Sequence, residues 1–212
     1  SGQTIRLSSD GINAGEETLS ITDDLTIEGL GKDELTIDGA RLFRVFAVLP
    51  EALISDPFIS PTADQVATSP TVSISGLTVA NGLASDALGY QPPFVFGGGL
   101  YNLGGTVELS KMGFEENVAL GFITAGGAVA NEFGGTLTVT QSHFTRNASA
   151  GDLIGVGGAI TSDLGELADG SQTDQPNVSI DRSTFDSNIA SAQLGYIDDE
   201  ETGAFSGLAA GG

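Results

Sequence analysis

The chain has 212 residues, 28 of them acidic and 7 basic, for a net charge of −21. That balance excludes binding nucleic acid by phosphate neutralisation and docking on an anionic membrane surface. With no cysteine and a single histidine, disulfides, thiolate metal sites and a histidine metal site are excluded as well.

The remaining composition points to β structure. Apolar residues make up 40% of the chain, too many for a disordered acidic tail. The 31 glycines follow no collagen period and suit tight turns. No apolar run is long enough to span a bilayer, and no basic-then-apolar leader is present.

In chain order, Thr4 to Leu7 and Thr18 to Ile21 read as short strands. Leu25-Thr26-Ile27-Glu28-Gly29 and Leu35-Thr36-Ile37-Asp38-Gly39 are two strand-turn copies ten residues apart. Leu42 to Leu49 is a further apolar run, with Arg41 and Arg44 expected to pair with Asp38. Residues 50–70 are rich in proline and read as a surface excursion.

From Thr71 onward the chain repeats at a period near 30 residues. Thr71-Val72-Ser73-Ile74, Thr106-Val107-Glu108-Leu109, Thr136-Leu137-Thr138-Val139 and Asn177-Val178-Ser179-Ile180 alternate polar and apolar residues, the mark of a strand with one buried face. Each of the last three is followed by Phe-x-x-Asn: Phe114 to Asn117, Phe144 to Asn147 and Phe185 to Asn188. In the earliest copy Val79 takes the aromatic place and Asn81 comes one residue early. Between copies stand the glycine pairs Gly98-Gly99, Gly126-Gly127 and Gly157-Gly158, each followed by apolar residues.

This pattern predicts an all-β chain: a right-handed, single-stranded parallel β-helix with about three short strands per coil. One domain covers residues 1–212, with opening coils and the excursion in 1–70 and regular repeats in 71–212. The segments 83–96, 163–176 and 191–206 outgrow the basic coil and are expected as long loops on one binding face. Like residues should overlie one another: Phe114, Phe144 and Phe185 in one column, Asn117, Asn147 and Asn188 in another, and Gly98, Gly127 and Gly158 where neighbouring coils approach closely. Lys111, Gln141 and Arg182 share an offset and are expected as an outward polar ladder, and His143 should face away from the core. The chain stops after a Gly-Gly lead-in, which is the expected look of a piece cut from a longer repeat protein.

The motifs Gly126-Gly127-Ala128-Val129, Gly157-Gly158-Ala159-Ile160, Phe114-Glu115-Glu116-Asn117, Phe144-Thr145-Arg146-Asn147 and Phe185-Asp186-Ser187-Asn188 resemble the repeats of the polymorphic outer membrane protein family. Gly97-Gly98-Gly99-Leu100-Tyr101-Asn102 is similar to a turn of bacterial right-handed β-helices, a class that includes autotransporter passengers. The resemblance implies a surface-exposed or secreted passenger region, often adhesive, with no catalytic residue. The outer-membrane barrel of that family has no counterpart in these residues.

Candidate chemistry is sparse. Leu88-Gly89-Tyr90, Leu120-Gly121-Phe122 and Leu194-Gly195-Tyr196 recur after the asparagines, so Tyr90, Phe122 and Tyr196 could form an aromatic row for sugar rings. No cofactor is implied. Asp198, Asp199, Glu200 and Glu201 form the best local cluster for a calcium ion, with Asp23-Asp24 second, although a solvated acidic loop accounts for both. Many right-handed β-helices are pectate-lyase-like polysaccharide lyases or glycoside hydrolases, but the seven basic residues offer no evident proton acceptor. The expected role is a non-enzymatic, extracellular or cell-surface module on the bacterial outer surface, structural or adhesive. It would contact a surface receptor or glycan, or a second copy through open coil edges, and it would neither bind nucleic acid nor insert in a membrane.

Overall fold

A computed structural model describes residues 2–8, 18–54, 60–86, 94–192 and 208–210, the last three as backbone only. The chain is all-β and its strands fall into four parallel sheets.

Sheet A contains Gln3–Arg6, Leu35–Asp38, Thr78–Ala80, Gly113–Glu115, His143–Thr145 and Thr184–Asp186, in that spatial order. Sheet B contains Leu19–Ile21, Phe46–Val48, Leu100–Leu103, Val129–Glu132 and Ile160–Ser162. Sheet C contains Leu25–Glu28, Thr71–Ser75, Thr106–Ser110, Thr136–Thr140 and Asn177–Asp181. Sheet D is built on Leu83–Ser85, Val118–Ala125, Ala148–Val156 and Ile189–Ala192. Phe94–Phe96 and Leu208–Ala210 pair with the second halves of its two long strands. From Thr71 the chain visits C, A, D and B in rotation, so each strand pairs with its equivalent one repeat away.

The register is that of the repeats. Val107 pairs with Leu137 and Leu137 with Val178, while Phe114 pairs with Phe144 and Phe144 with Phe185. Alternation then sends one set of side chains inward from every sheet. Val72, Ile74, Val79, Leu100, Val107, Leu109, Phe114, Val129, Leu137, Val139 and Phe144 form one continuous core. In the last pass the inner row is open: Phe185 is 43% exposed and Ile189 59%. Ile5 and Leu25 are similarly open at the other end of the stack.

A fourth strand per repeat corrects the expected three. The segments after Asn117 and Asn147, which read as loops, form the eight-residue strand Val118–Ala125 and the nine-residue strand Ala148–Val156. Their inward residues are small, with Ala119 and Ser149 fully buried, so they pack closely while carrying little hydrophobic signal. The long segments also do not share one insertion point. Leu83–Ser85, Phe94–Phe96 and residues 191–192 lie in sheet D, whereas 163–176 joins sheet B to sheet C.

The turns obey a second periodicity. Lys111, Gln141 and Arg182, between sheets C and A, have φ of 54°, 51° and 46°. Glu116, Arg146 and Ser187, between A and D, all have φ of 54°. These are left-handed positions held by ordinary residues, a conformation that costs a β-carbon about 1–2 kcal/mol. Asn81, with φ of 51°, fills the same slot in the earlier repeat, which explains why it stands one residue early. Lys111→Gly is therefore expected to raise stability by about 0.5–1 kcal/mol, after the entropic cost of glycine, read as an upward shift in urea midpoint.

Candidate functional site

The repeated residues are occupied with each other. The rings of Phe114 and Phe144 are stacked 4.9 Å apart and nearly parallel, and those of Phe144 and Phe185 are 4.8 Å apart. That spacing is the separation of hydrogen-bonded strands, about 4.8 Å. Beside this column runs the asparagine ladder. Asn117 donates from its backbone N and from Nδ2 to Asn147 Oδ1, at 3.0 and 2.9 Å. Asn147 does the same to Asn188 Oδ1. Each Nδ2 also donates to a carbonyl of the sheet A strand one repeat earlier: Val79, Phe114 and Phe144 in turn. In the earliest copy Gly82 stands in the asparagine slot, and its N–H donates to Asn117 Oδ1. The left-handed residue is the one before the asparagine: Glu116, Arg146 and Ser187.

The glycines that lead into sheet B have two separate roles. Gly126 and Gly157 have φ of 65° and 57°. Gly98, Gly127 and Gly158 are instead wedged against the opening residues of sheet D, where a β-carbon would run into the backbone of Val118, Ala148 and Ile189.

A second ladder was not anticipated. Asn102 Nδ2 donates to Asn131 Oδ1 at 2.6 Å, and Asn131 Nδ2 donates to Ser162 Oγ at 2.9 Å. The signal was present, since all three stand four residues after Gly98, Gly127 and Gly158.

Outward-facing candidates divide. Phe122 is 44% exposed, as are Leu120 and Phe94 in the same sheet at 45% and 43%, and its N–H donates to Asp86 Oδ2. Tyr90, Tyr196, Asp198, Asp199, Glu200 and Glu201 lie outside the described residues, so neither the aromatic row nor the acidic cluster is assembled among those described. His143 is exposed, and its Nδ1 shares a hydrogen bond with the Thr184 hydroxyl. Arg41 and Arg44 do not join Asp38, whose carboxylate accepts the Ala40 N–H instead. Arg41 and Arg146 both reach Glu116, bridging three passes of the chain at the left-handed turn row. Arg44 is buried, donates to the carbonyls of Gly97 and Phe96, and lies 5.1 Å from the Tyr101 ring centre.

The outer face of sheet B is covered rather than open to solvent. Ala47, Leu49, Leu53, Tyr101, Leu103 and Ala130 form a second buried cluster there. The excursion covers it with the turn Glu51–Leu53 and the short helix Ala63–Val66, which is capped by Thr62 and Gln65. Residues 163–176 cover the rest: the Ala168 N–H donates to Pro61 O at 2.9 Å, and Gly165 lies against the Phe133 ring. Beneath this cover Glu132, in register with Leu103, is only 4% exposed. Its Oε1 is the one buried side-chain oxygen or nitrogen without a partner among the described residues. Burial, and then the charge of Asp163, raise its pKa to about 8. Burial and Glu132 push the Tyr101 phenol up, against the opposing pull of Arg44. The covered face therefore favours the protonated form of the Glu132 carboxyl.

Among the described residues no three His, Asp or Glu side chains converge on a metal-sized site. No protein-family model, curated protein or solved structure matches this chain.

Proposed function

We propose that the chain is a right-handed parallel β-helix serving as a non-enzymatic structural and adhesive module, secreted or displayed on a bacterial surface. Parallel strands joined by crossovers are right-handed in nearly every fold, and the four-sheet rotation with like-on-like register suits one continuous winding. The observation that carries the functional reading is where the repeated residues go. The phenylalanines stack, the asparagines bond one another and the glycines admit backbone, so the motifs support a rod. The charge of −21 keeps such a rod soluble and repels nucleic acid and anionic lipid. The core side chains open at both ends of the described stack suit contact with a second copy.

Beads coated with the pure protein, presented to intact cells and to an array of neutral and acidic glycans, test this. Saturable retention without loss of substrate is the expected result. Turnover of a uronate polymer, abolished by changing one acidic residue, would replace this reading with the polysaccharide-enzyme one. Absence of retention on every surface would remove the adhesive half of the proposal.

A further inference from the structure

The covered face of sheet B contains an arrangement that the rod does not need. Glu132 ends the strand Val129–Glu132 with one carboxyl oxygen unpartnered inside an apolar layer. An ionised carboxylate there would have neither solvent nor a hydrogen-bond donor on that oxygen, a costly state. The charged and titratable groups around it do not relieve this. Tyr101, on the adjacent strand of sheet B, is itself buried. Arg44 lies over the Tyr101 ring and donates to the Gly97 and Phe96 carbonyls. Asp163, just past Ile160–Ser162, adds like charge. The remaining charged groups described on the two covering segments are Glu51, Asp64, Glu166, Asp169 and Asp174, all acidic and all exposed.

The cover is tied down by few hydrogen bonds. Ser69 Oγ donates to Leu103 O, Ala168 N–H to Pro61 O, and Asp163 N–H to Asn131 O. Residues 163–176 are otherwise bonded mainly within themselves, through Leu167 to Ser171 and Thr173 to Gly165. Lifting this segment is the shortest way to bring water to Glu132 and carry Asp163 away from it.

We propose that Glu132 is a proton-dependent latch: as the neutral acid it lets residues 60–70 and 163–176 close over the outer face of sheet B, and on losing its proton to solvent it releases them. The closed state belongs to acid and neutral conditions. The open state belongs to alkaline conditions and exposes Tyr101, Leu103 and Phe133.

The sign follows from linkage. The carboxyl pKa lies near 4.5 when solvated and about 8 when covered, so the closed state holds the extra proton between those values. The opening equilibrium should therefore rise about tenfold per pH unit through that window and level off above it.

The test is amide hydrogen exchange on peptides covering 100–106, 129–135 and 163–173 in the whole chain, from pH 5.5 to 9.5. Rates are corrected for intrinsic base catalysis, and the 107–110 and 137–140 strands serve as internal references. Glu132→Gln is expected to flatten the pH dependence while the reference strands stay protected. Asp163→Asn is expected to move the levelling point to lower pH, because a charge that raises the Glu132 pKa is gone. Opening that is independent of pH in the natural chain, or unchanged pH dependence in Glu132→Gln, would overturn the proposal. So would saturable closure by calcium chloride at pH 9, which would assign the unpartnered oxygen to a cation.

Discussion

Replacing Asn147 by alanine is expected to lower stability by about 3–4 kcal/mol, among the largest effects available to a single polar side chain here. Asn147 is fully buried and sits in the middle of its ladder. Its Oδ1 accepts both the backbone and side-chain N–H groups of Asn117, and its Nδ2 serves the Phe114 carbonyl and Asn188. Truncation leaves two donors and a carbonyl unpaired where water cannot reach. Orphaned buried groups cost about 1–3 kcal/mol each, beyond the modest net worth of the bonds themselves. The urea midpoint should fall with little change in slope. Asn188→Ala should cost less, because Asn188 is only partly buried at the end of the ladder. Equal losses at both positions would mean that burial does not set the strength of the ladder.

Phe144→Ala is the second large effect, about 3–5 kcal/mol. The ring is fully buried between two others at 4.9 and 4.8 Å. Its removal opens a cavity that stacked strands cannot collapse into, because the strand spacing is fixed by hydrogen bonds. Phe185→Ala should cost about half as much or less, since Phe185 is 43% exposed and has a described ring on one side only. Thermal or urea unfolding of the two variants side by side checks the gradient. The reverse order would place the structural weight at the end of the stack rather than its centre.

The legible parts of this fold are those in which a residue type recurs at a fixed offset and faces inward. Phe114, Phe144 and Phe185 could be aligned without coordinates because each closes an alternating Val/Leu/Ile segment at the same distance. The asparagine ladder was legible for the same reason, although its mechanics were not. The left-handed position belongs to Glu116, Arg146 and Ser187, three unlike residue types, none of them one that routinely adopts a left-handed φ. Sheet D was missed because its inner residues are alanine, serine and glycine, whose small side chains suit close packing but do not register as an apolar face. Asn102 and Asn131 went unrecognised as a ladder because the third rung is Ser162, which breaks the match of residue type while keeping the bond.

The covered face of sheet B was illegible for a different reason. Alternation places Tyr101, Leu103, Ala130 and Glu132 on the outward side, which in a bare sheet means solvent. Only the docking of residues 51–54, 60–70 and 163–176, contacts distant in the chain, turns that side into an interior. Arg44 was assigned to a salt bridge on proximity to Asp38, whereas its partners are carbonyls more than fifty positions away. Glu132 could not be singled out from 28 acidic residues until its surroundings were known.

The central claim is that like side chains from successive repeats overlie one another in columns. Nuclear Overhauser spectra of the chain carrying labelled phenylalanine test it most directly, with Phe114→Leu, Phe144→Leu and Phe185→Leu for assignment. Ring contacts between Phe114 and Phe144 and between Phe144 and Phe185, with none between Phe114 and Phe185, are the predicted result. Three rings without mutual contact, or a direct contact between the outer two, would contradict the account.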